Sequence, residues 1–498
     1  MSEESSCDIF WLTMPKIERM CMRMRPNTNI FGTPGVPEVP DGCTDAERQG
    51  FFEEMHRRAR AIYGDRLPIQ VWIRLVREWE RIKFRYDWLF IPLLRAGDYL
   101  ATHHYPVSAG NIGPLFIAWL MGLSDINPLP PHYVCDKCRH AEFDFPNAVK
   151  VGLDLPAKQC PECGISMRRD GFNLSWCMFF YPDMESSIPQ YPRLDFGVPE
   201  EAVESAYQAL SNQFPAQCRC YDSLFPHVTW GDAPLPRMLF VPRGQSIEQY
   251  TGGIEIIHGK PFSVVNDMWG LRDDIAGIQI VPRGRLPFLQ RLRRMTGVAN
   301  ETDELQNDDV RLALISEIAR GKLHCAFKYM TRENGECFPK TVSLFTSIKT
   351  VGDFINLMGM YDGTGVWNET TQSLLREGVL LQDCIASRDD VYHLLRKYDP
   401  PAMAFKAMKR VQYGRGLPGG WKALNNQKVP AWLKDFCDGV RYLFPRYRCC
   451  SDAMQVLRIA WFEKHYPDDF RIVQRELLYA RAFPSAGENE KVKEAIKA

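Results

Sequence analysis

The chain has 498 residues, 45% of them hydrophobic and 24% charged, with 61 Lys and Arg against 61 Asp and Glu. That length accommodates roughly two to four domains with substantial cores, and the zero net charge excludes a whole-chain basic signature for nucleic acid. The 16 cysteines fit free thiols in a reducing cytoplasm better than a secreted disulfide framework. The acidic start, MSEESSCDIFWL, is followed by no apolar h-region, so no signal peptide is expected. The longest apolar run, near Leu115 to Leu123, is too short to cross a bilayer, and no membrane partner is expected.

In chain order, residues 1–60 open with breaks at Pro26, Gly32 to Gly35, Pro37 and Pro40 to Gly42. They read as a poorly structured lead and then a short helix near Thr44 to Tyr63. Ile69 to Tyr86 is patterned as an amphipathic helix, with Trp72, Leu75, Val76, Trp79 and Ile82 on one face. Arg74, Arg77, Arg81 and Arg85 line another face, which suits either a phosphate backbone or bulk solvent. His103 and His104 are adjacent, point in different directions on a helix, and are expected at the surface.

Cys135, Cys138, Cys160 and Cys163 form two Cys-x-x-Cys pairs. Two residues between thiols let a tight turn aim both sulfurs at one cation, and two such turns complete a tetrahedral zinc site. The gap between pairs is one residue longer than the usual zinc-ribbon range. Lys137, Arg139, Lys158, Pro161 and Gly164 mark exposed knuckles. A closed four-thiolate site has no open coordination position, so its zinc should be structural.

Residues 189–300 mix short β-like runs, at Met238 to Val241, Ile254 to Ile257 and Ile275 to Val281, with turns. From Leu305 the pattern is mainly helical, as at Val310 to Ile318, Val351 to Met358 and Ala453 to Lys464. The segments Arg283 to Arg294, Lys406 to Arg415 and Arg441 to Arg448 are locally basic; Phe405, Tyr413, Tyr442, Phe444 and Tyr447 interleave with the last two. Such segments serve equally as a stacking groove for nucleic acid or as helices with buried aromatics. Cys218-Arg219-Cys220 and Cys449-Cys450 lack ligand-turn spacing. The last eighteen residues are polar and expected to fray.

Several segments carry a family likeness in a fixed order. NPLPPHYVCDKC, DLPAKQCPECG and RRDG surround the cysteines. They are followed by QYTGGIEII from Gln249, DGTGVW from Asp362, SRDDV from Ser387, AFKAM from Ala404 and RIAWFEKHYP from Arg458. Together they resemble the polymerase core of PolC-type bacterial DNA polymerase III alpha subunits, a family C polymerase, from about Tyr63 to Leu477. The chain reads as a truncated, degenerate relative of that palm and fingers core. The exonuclease, PHP and OB-type domains of full-length relatives have no room in it, nor does their clamp-binding tail.

The resemblance implies two-metal phosphoryl transfer by three aspartates. Two belong to a motif like PDIDLNF, aligned with Gln190 to Phe196, and become Tyr191 and Arg193. The third, in a motif like KLDILG, aligns with Gln279 in Gly277 to Pro282. Productive Mg2+ binding is therefore not expected, because magnesium needs hard oxygen ligands and Arg193 adds a fixed cation. Asp195, on the same strand face as Arg193, is read as its ion-pair partner and not as a replacement ligand. The family's phosphate loop, GSRGSVGSS, aligns with VSAGNIGPL, Val107 to Leu115. Ser108, Gly110, Asn111 and Gly113 remain as its remnant, Ala109 replaces the arginine, and Pro114 removes an amide donor. The family's QHPGG histidine becomes Tyr250.

The expected fold is α+β: a nucleotidyltransferase-like palm, interrupted by the zinc module, before a helical fingers-like region. The expected divisions are 1–60 lead and short helix, 61–130 first palm part, 131–170 zinc insertion, 171–300 second palm part, 301–480 fingers and 481–498 tail. A cytoplasmic pseudo-polymerase that binds DNA, replication proteins or an active polymerase is the first functional expectation. DNA would be held by Arg74, Arg77, Arg81, Arg85, Arg415 and Arg446. The alternatives are an active DNA polymerase with a rebuilt metal site and a zinc-stabilised interaction scaffold without DNA binding.

Overall fold

A computed structural model describes residues 43–83, 86–143, 149–180, 193–211, 213, 219–224, 237–241, 254–257, 260–264, 276–283, 285–299, 301–323, 337–419 and 429–482. Helix α1 (Asp45–Tyr63) starts at a capping box: the Thr44 hydroxyl accepts from the Glu47 amide, and the Glu47 carboxylate accepts from the Thr44 amide. Two otherwise orphaned donors are satisfied this way, which sets the start of the helix. Helix α2 (Ile69–Ile82) stops short of the expected Tyr86 because Lys83 leaves helical geometry for extended backbone. Its inner face is Val71, Leu75, Trp79 and Ile82, joined by a fully buried Glu78. Trp72 is 38% exposed, against expectation; its ring rests on Phe52 and His56 of α1. Leu75, Trp79 and Ile82 keep the face drawn from spacing, whose edge moves from Trp72 and Val76 to Val71 and Glu78.

Helix α3 (Asp87–Thr102) and the short α4 (Phe116–Leu120) complete the first helical layer. Strands β1 (His132–Val134), β2 (Ala141–Glu142) and β3 (Arg168–Asp170) form a small antiparallel sheet in the order β2-β1-β3. Its own core is Tyr133, Cys135, Leu155, Cys160 and Met167.

The larger sheet is mixed, in the order β4-β9-β6-β5-β8-β7. Its strands are β4 (Arg193–Val198), β5 (Arg219–Leu224), β6 (Arg237–Val241), β7 (Ile254–Ile257), β8 (Lys260–Val264) and β9 (Ala276–Pro282). β4 and β9 run parallel, with Asp195 opposite Gln279. Parallel neighbours need a long crossover; it contains α5 (Val203–Ser211), which packs on α3, and the other four strands. Leu194, Phe196, Ile278 and Ile280 of the pair join Leu75, Phe90 and Phe116 in one core.

A second core belongs to the helices after β9. These include α6 (Leu286–Thr296), α7 (Asp308–Ala319), α8 (Val351–Asp362), α9 (Arg388–Leu395), α10 (Pro401–Gln412), α11 (Arg446–His465) and α12 (Pro467–Ala482). α11 is the axis of this region: every residue from Cys449 to Phe462 is buried. A helix covered on all sides must satisfy its polar side chains inside the protein, and Ser451, Asp452, Gln455 and Arg458 all have partners there. The architecture is thus mixed helix and sheet with helices dominant, and a four-cysteine cluster within it. Among the described residues, no helix is long and apolar enough to cross a membrane.

Candidate functional site

The four cysteines converge. The Sγ atoms of Cys135 and Cys163 lie 3.4 Å apart, those of Cys138 and Cys160 lie 3.5 Å apart, and all four fall within 4.8 Å of one another. Sulfurs bonded to one tetrahedral zinc at about 2.3 Å would be separated by about 3.8 Å, so the donor set fits such a metal. Each knuckle turns through a left-handed residue, Arg139 (φ 64°) in the first and Gly164 (φ 73°) in the second. Their amides donate to the carbonyls of Cys135 and Cys160, both at 2.9 Å. The glycine suits that geometry without strain; Arg139 adopts it against its side chain's preference. Among the described residues this is the only grouping of three or more His, Cys, Asp or Glu placed to hold a metal ion.

The glycine-bearing loop lies against the edge of β4. Ser108 and Gly197 exchange two backbone hydrogen bonds at 2.9 Å. The Asn111 amide donates to Asp195 Oδ1 at 3.0 Å, and the Asp195 amide donates to Asn111 Oδ1 at 2.8 Å. The approach is so close that a Cβ on Gly110 would lie 1.8 Å from the Asp195 carbonyl oxygen, so this position accepts only glycine. Other loop amides also face carboxylates of the chain itself. Ala109 donates to Asp125 Oδ1 at 2.9 Å, and Phe116 and Ile117, at the start of α4, donate to Glu78, both at 2.9 Å. Burial pushes the carboxyls of Asp125 and Glu78 above their usual range, opposed by these hydrogen bonds and by Arg458 near Asp125 and Arg74 beside Glu78. A loop of this kind is suited to an external anion when its amides are free; here acidic side chains already accept from those of Ala109 and Asn111.

Beyond Asp195, the ends of β4 and β9 meet α11 through charge. Arg283, just past β9, lies over Gly197, where a Cβ would come within 2.5 Å of its Cγ. Asp452 of α11 pairs with Arg285 at 2.8 Å and with Arg448 at 2.9 Å. Burial opposes ionisation of Asp452, yet Arg285, Arg448 and Arg283 hold its carboxyl below the ordinary range. Asp362, at the end of α8, shares this environment, and burial with Asp452 nearby pushes it up to about 6. Ser451 extends the seam, donating to both oxygens of Asp125 at 2.8 and 2.9 Å and standing 3.2 Å from the Ser108 hydroxyl. The loop, the strand pair and the buried helix are therefore tied into one polar network.

The structure separates the residues singled out from sequence. Asp195 and Gln279 are partners across β4 and β9, and Ser108, Gly110, Asn111 and Gly113 sit together beside Asp195. Arg193 begins β4 opposite Gly277; its side chain, and hence its expected ion pair with Asp195, lies outside the described atoms. Tyr191, Tyr250 and Arg85 lie outside the described residues altogether. Arg74 departs from the expectation of a phosphate-facing stripe: its guanidinium contacts Glu78 and donates to the carbonyls of Pro114 and Leu174. Arg446 departs likewise. It is held against Asp390 at 3.4 Å and Asn356 at 3.2 Å, inside the helical core. Arg74 supplies the counter-charge to the fully buried Glu78, whereas Asp390 beside Arg446 is only half-buried. Arg77 and Arg81 are half-buried and have internal contacts, whereas Arg415 is exposed. His103 and His104 are exposed as expected. Sequence reasoning passed over Glu78 and Asp125; an acid in phase with the apolar face of α2 was the available sign for Glu78.

No family model matches the chain. It is 27% identical to DNA polymerase III PolC-type of Caldanaerobacter subterraneus subsp. tengcongensis over 484 residues, covering 87% of this chain and 34% of that protein. DNA polymerase III PolC-type of Bacillus subtilis is 25% identical over 521 residues, covering 94% of this chain and 35% of its own length. The chain is a PolC-like relative. The DNA polymerase III PolC-type of Clostridium perfringens is 27% identical, covering 87% of this chain and 33% of its own length. The chain thus spans about a third of the length of the curated PolC-type relatives it matches.

Proposed function

We propose that this PolC-like chain is a pseudo-polymerase: a palm-and-fingers scaffold without metal-dependent nucleotidyl transfer, acting in the cytoplasm by binding DNA or replication partners. The observation that carries the reading is the junction of the loop with β4. Asp195 and Asn111 exchange hydrogen bonds, so the acid left on that strand is half-buried and one of its carboxylate oxygens closes the loop. The strand motifs aligned with the family's catalytic segments are neighbours, yet the aligned positions are Tyr191, Arg193 and Gln279. None offers the hard anionic oxygen that two magnesium ions require. The four cysteines would hold one zinc in a closed, structural site that stabilises the insertion without touching substrate.

Primer extension with magnesium or manganese tests this reading. No nucleotide incorporation is expected, and Tyr191→Asp, Arg193→Asp and Gln279→Asp together should restore metal binding only weakly, because the loop amides remain engaged. Robust synthesis by the unmodified chain would establish the active-polymerase alternative with a rebuilt metal site. One observation favours the scaffold alternative: Arg74 and Arg446, expected on DNA, are engaged in internal pairs.

A further inference from the structure

The two basic, aromatic-rich segments around Lys406 to Arg415 and Arg441 to Arg448 meet in space. The Leu443 amide donates to the Gln412 carbonyl at 3.0 Å, and Gly414 packs so closely that a Cβ there would lie 2.7 Å from the Arg441 carbonyl oxygen. This contact lines up three half-buried rings. Tyr413 and Tyr442 have centroids 5.9 Å apart, and Tyr442 and Phe444 lie 4.9 Å apart. The backbone of Tyr442 is pinned by its bridge to Thr364. Lys409 stands 5.5 Å from the Tyr413 ring, and Arg448, whose charge is paired with Asp452, lies 5.5 Å from the Phe444 ring. Arg410, Arg415 and Arg441 are exposed beside it. The acids of the neighbouring helix Ala431–Gly439 are Asp435 and Asp438, fewer than the cations around the rings.

We propose that Tyr413, Tyr442 and Phe444 form a stacking platform for single-stranded nucleic acid, with Arg415 and Arg441 holding its phosphates. The proposal deepens the reading of the chain as a DNA-binding scaffold and rests on it. A lone strand offers both features that match this surface, namely unpaired base faces and a regular row of negative charge. The rings are tilted by 49° and 82° to their neighbours. Such a corrugated row suits splayed bases and not the closed stack of a duplex. An acidic peptide would satisfy the cations and leave the rings without a partner. No contact at the row distinguishes a 2′-hydroxyl, so single-stranded DNA and RNA share the chemistry it reads.

Fluorescence anisotropy with the whole chain, labelled 20-mers of oligo(dT) and oligo(rU), and poly-glutamate as a control tests the platform. Both oligonucleotides should bind at low salt, more tightly than poly-glutamate. Tyr413→Leu and Tyr442→Leu should each weaken binding by roughly 5- to 150-fold, the range for loss of one stacked base. Tyr413→Phe and Tyr442→Phe keep the ring and should bind as the parent does. Arg415→Ala with Arg441→Ala should flatten the slope of log K against log salt by about 1.4, two charges on a single strand. Binding of oligo(dT) but not oligo(rU) would support the platform with DNA as its source, and the reverse would support it with RNA. Leucine variants that bind like the parent would overturn the platform alone. Poly-glutamate bound as tightly as the oligonucleotides would overturn it in favour of an acidic protein partner. A parent chain that binds neither single strands nor primer–template DNA would overturn both the platform and DNA binding by the scaffold.

Discussion

The cysteine knuckles and the junction of β4, β9 and α11 both gather side chains of a kind that bind ions, and they differ in what surrounds them. The knuckles have a core of five residues, two of them the ligand cysteines Cys135 and Cys160. So little buried apolar surface cannot on its own offset the conformational entropy of the roughly forty residues from 131 to 170. The junction lies between two large cores, and its buried Asp452 meets Arg285 and Arg448. One region offers four thiols that could hold an external cation, and the other carries counter-ions for Asp452. A cluster of donors indicates a ligand when the chain provides no counterpart to it; a cluster of paired charges indicates a mechanical joint.

The largest effect that tests this contrast is loss of the metal. Cys135→Ser or Cys160→Ser should lower bound zinc from about one per chain to none and expose residues 131–170 to proteolysis. Structural zinc in small modules contributes about 10–16 kcal/mol of apparent binding free energy, more than the knuckle core can replace. Metal analysis with limited proteolysis checks this. Protein purified without chelator that holds no zinc, yet keeps the module protected, would break the comparison at its first term.

A smaller loss is expected at the junction. Asp452→Asn keeps the shape of the side chain but leaves Arg285 and Arg448 buried without their carboxylate. Breaking a buried pair from one side costs about 3–5 kcal/mol, visible as a shifted midpoint in urea unfolding. Because the Asp452 carboxyl is held below its usual range, this stabilisation is present above the unfolded carboxyl pKa of about 3.9 and is lost only as pH falls through the lower folded value. A change in midpoint no larger than that of an exposed ion pair would mean that the joint is solvated.

What was legible in the sequence was local. The Cys-x-x-Cys turns, the helix near Thr44 to Tyr63 and the helical pattern of Ala453 to Lys464 each depend on residues a few positions apart, and each appears in the structure. The strands at Met238, Ile254 and Ile275 were also readable, as β6, β7 and β9. Arg74 was not, because its fate depends on the carbonyls of Pro114 and Leu174, which only the folded chain brings near. The internal partners of Arg446 were hidden for the same reason: Asn356 and Asp390 belong to other helices. Trp72 shows a finer limit. Val71 and Trp72 are both apolar neighbours, and the packing of α1 decides which of them faces inward. At the loop, alignment placed Gly110 and Asn111 near the site but gave no hint that Asp125, Asp195 and Glu78 accept hydrogen bonds from the loop and the start of α4.

The smallest expected effect concerns the attachment of the knuckle module to α1, and it sharpens the comparison by asking how much of the module is fastened without metal. His132 in β1 is fully buried, with Nδ1 at 2.7 Å from the Pro130 carbonyl and Nε2 at 3.1 Å from the Tyr63 hydroxyl. Nδ1 must therefore carry the proton, leaving Nε2 to accept from Tyr63, whose oxygen in turn accepts from Asn127 at 2.9 Å. Burial lowers the pKa of His132, and Arg168 adds to this, against the opposing pull of Asp170 and the Pro130 carbonyl. The unfolded chain binds a proton near pH 6.5 and the folded chain does not, so stability should fall as pH drops below about 6.5, until the lowered folded pKa is reached. One proton limits the slope to about 1.4 kcal/mol per pH unit. Urea midpoints between pH 7.5 and 5.5 should therefore decline more steeply for the parent than for His132→Gln, in which zinc loss and other titrations are shared. Parallel declines in the two proteins would show that His132 takes up its proton alike in the folded and unfolded chain, and a shallower decline for the parent would show that it is charged in the folded state and that the tie to Tyr63 has the opposite polarity.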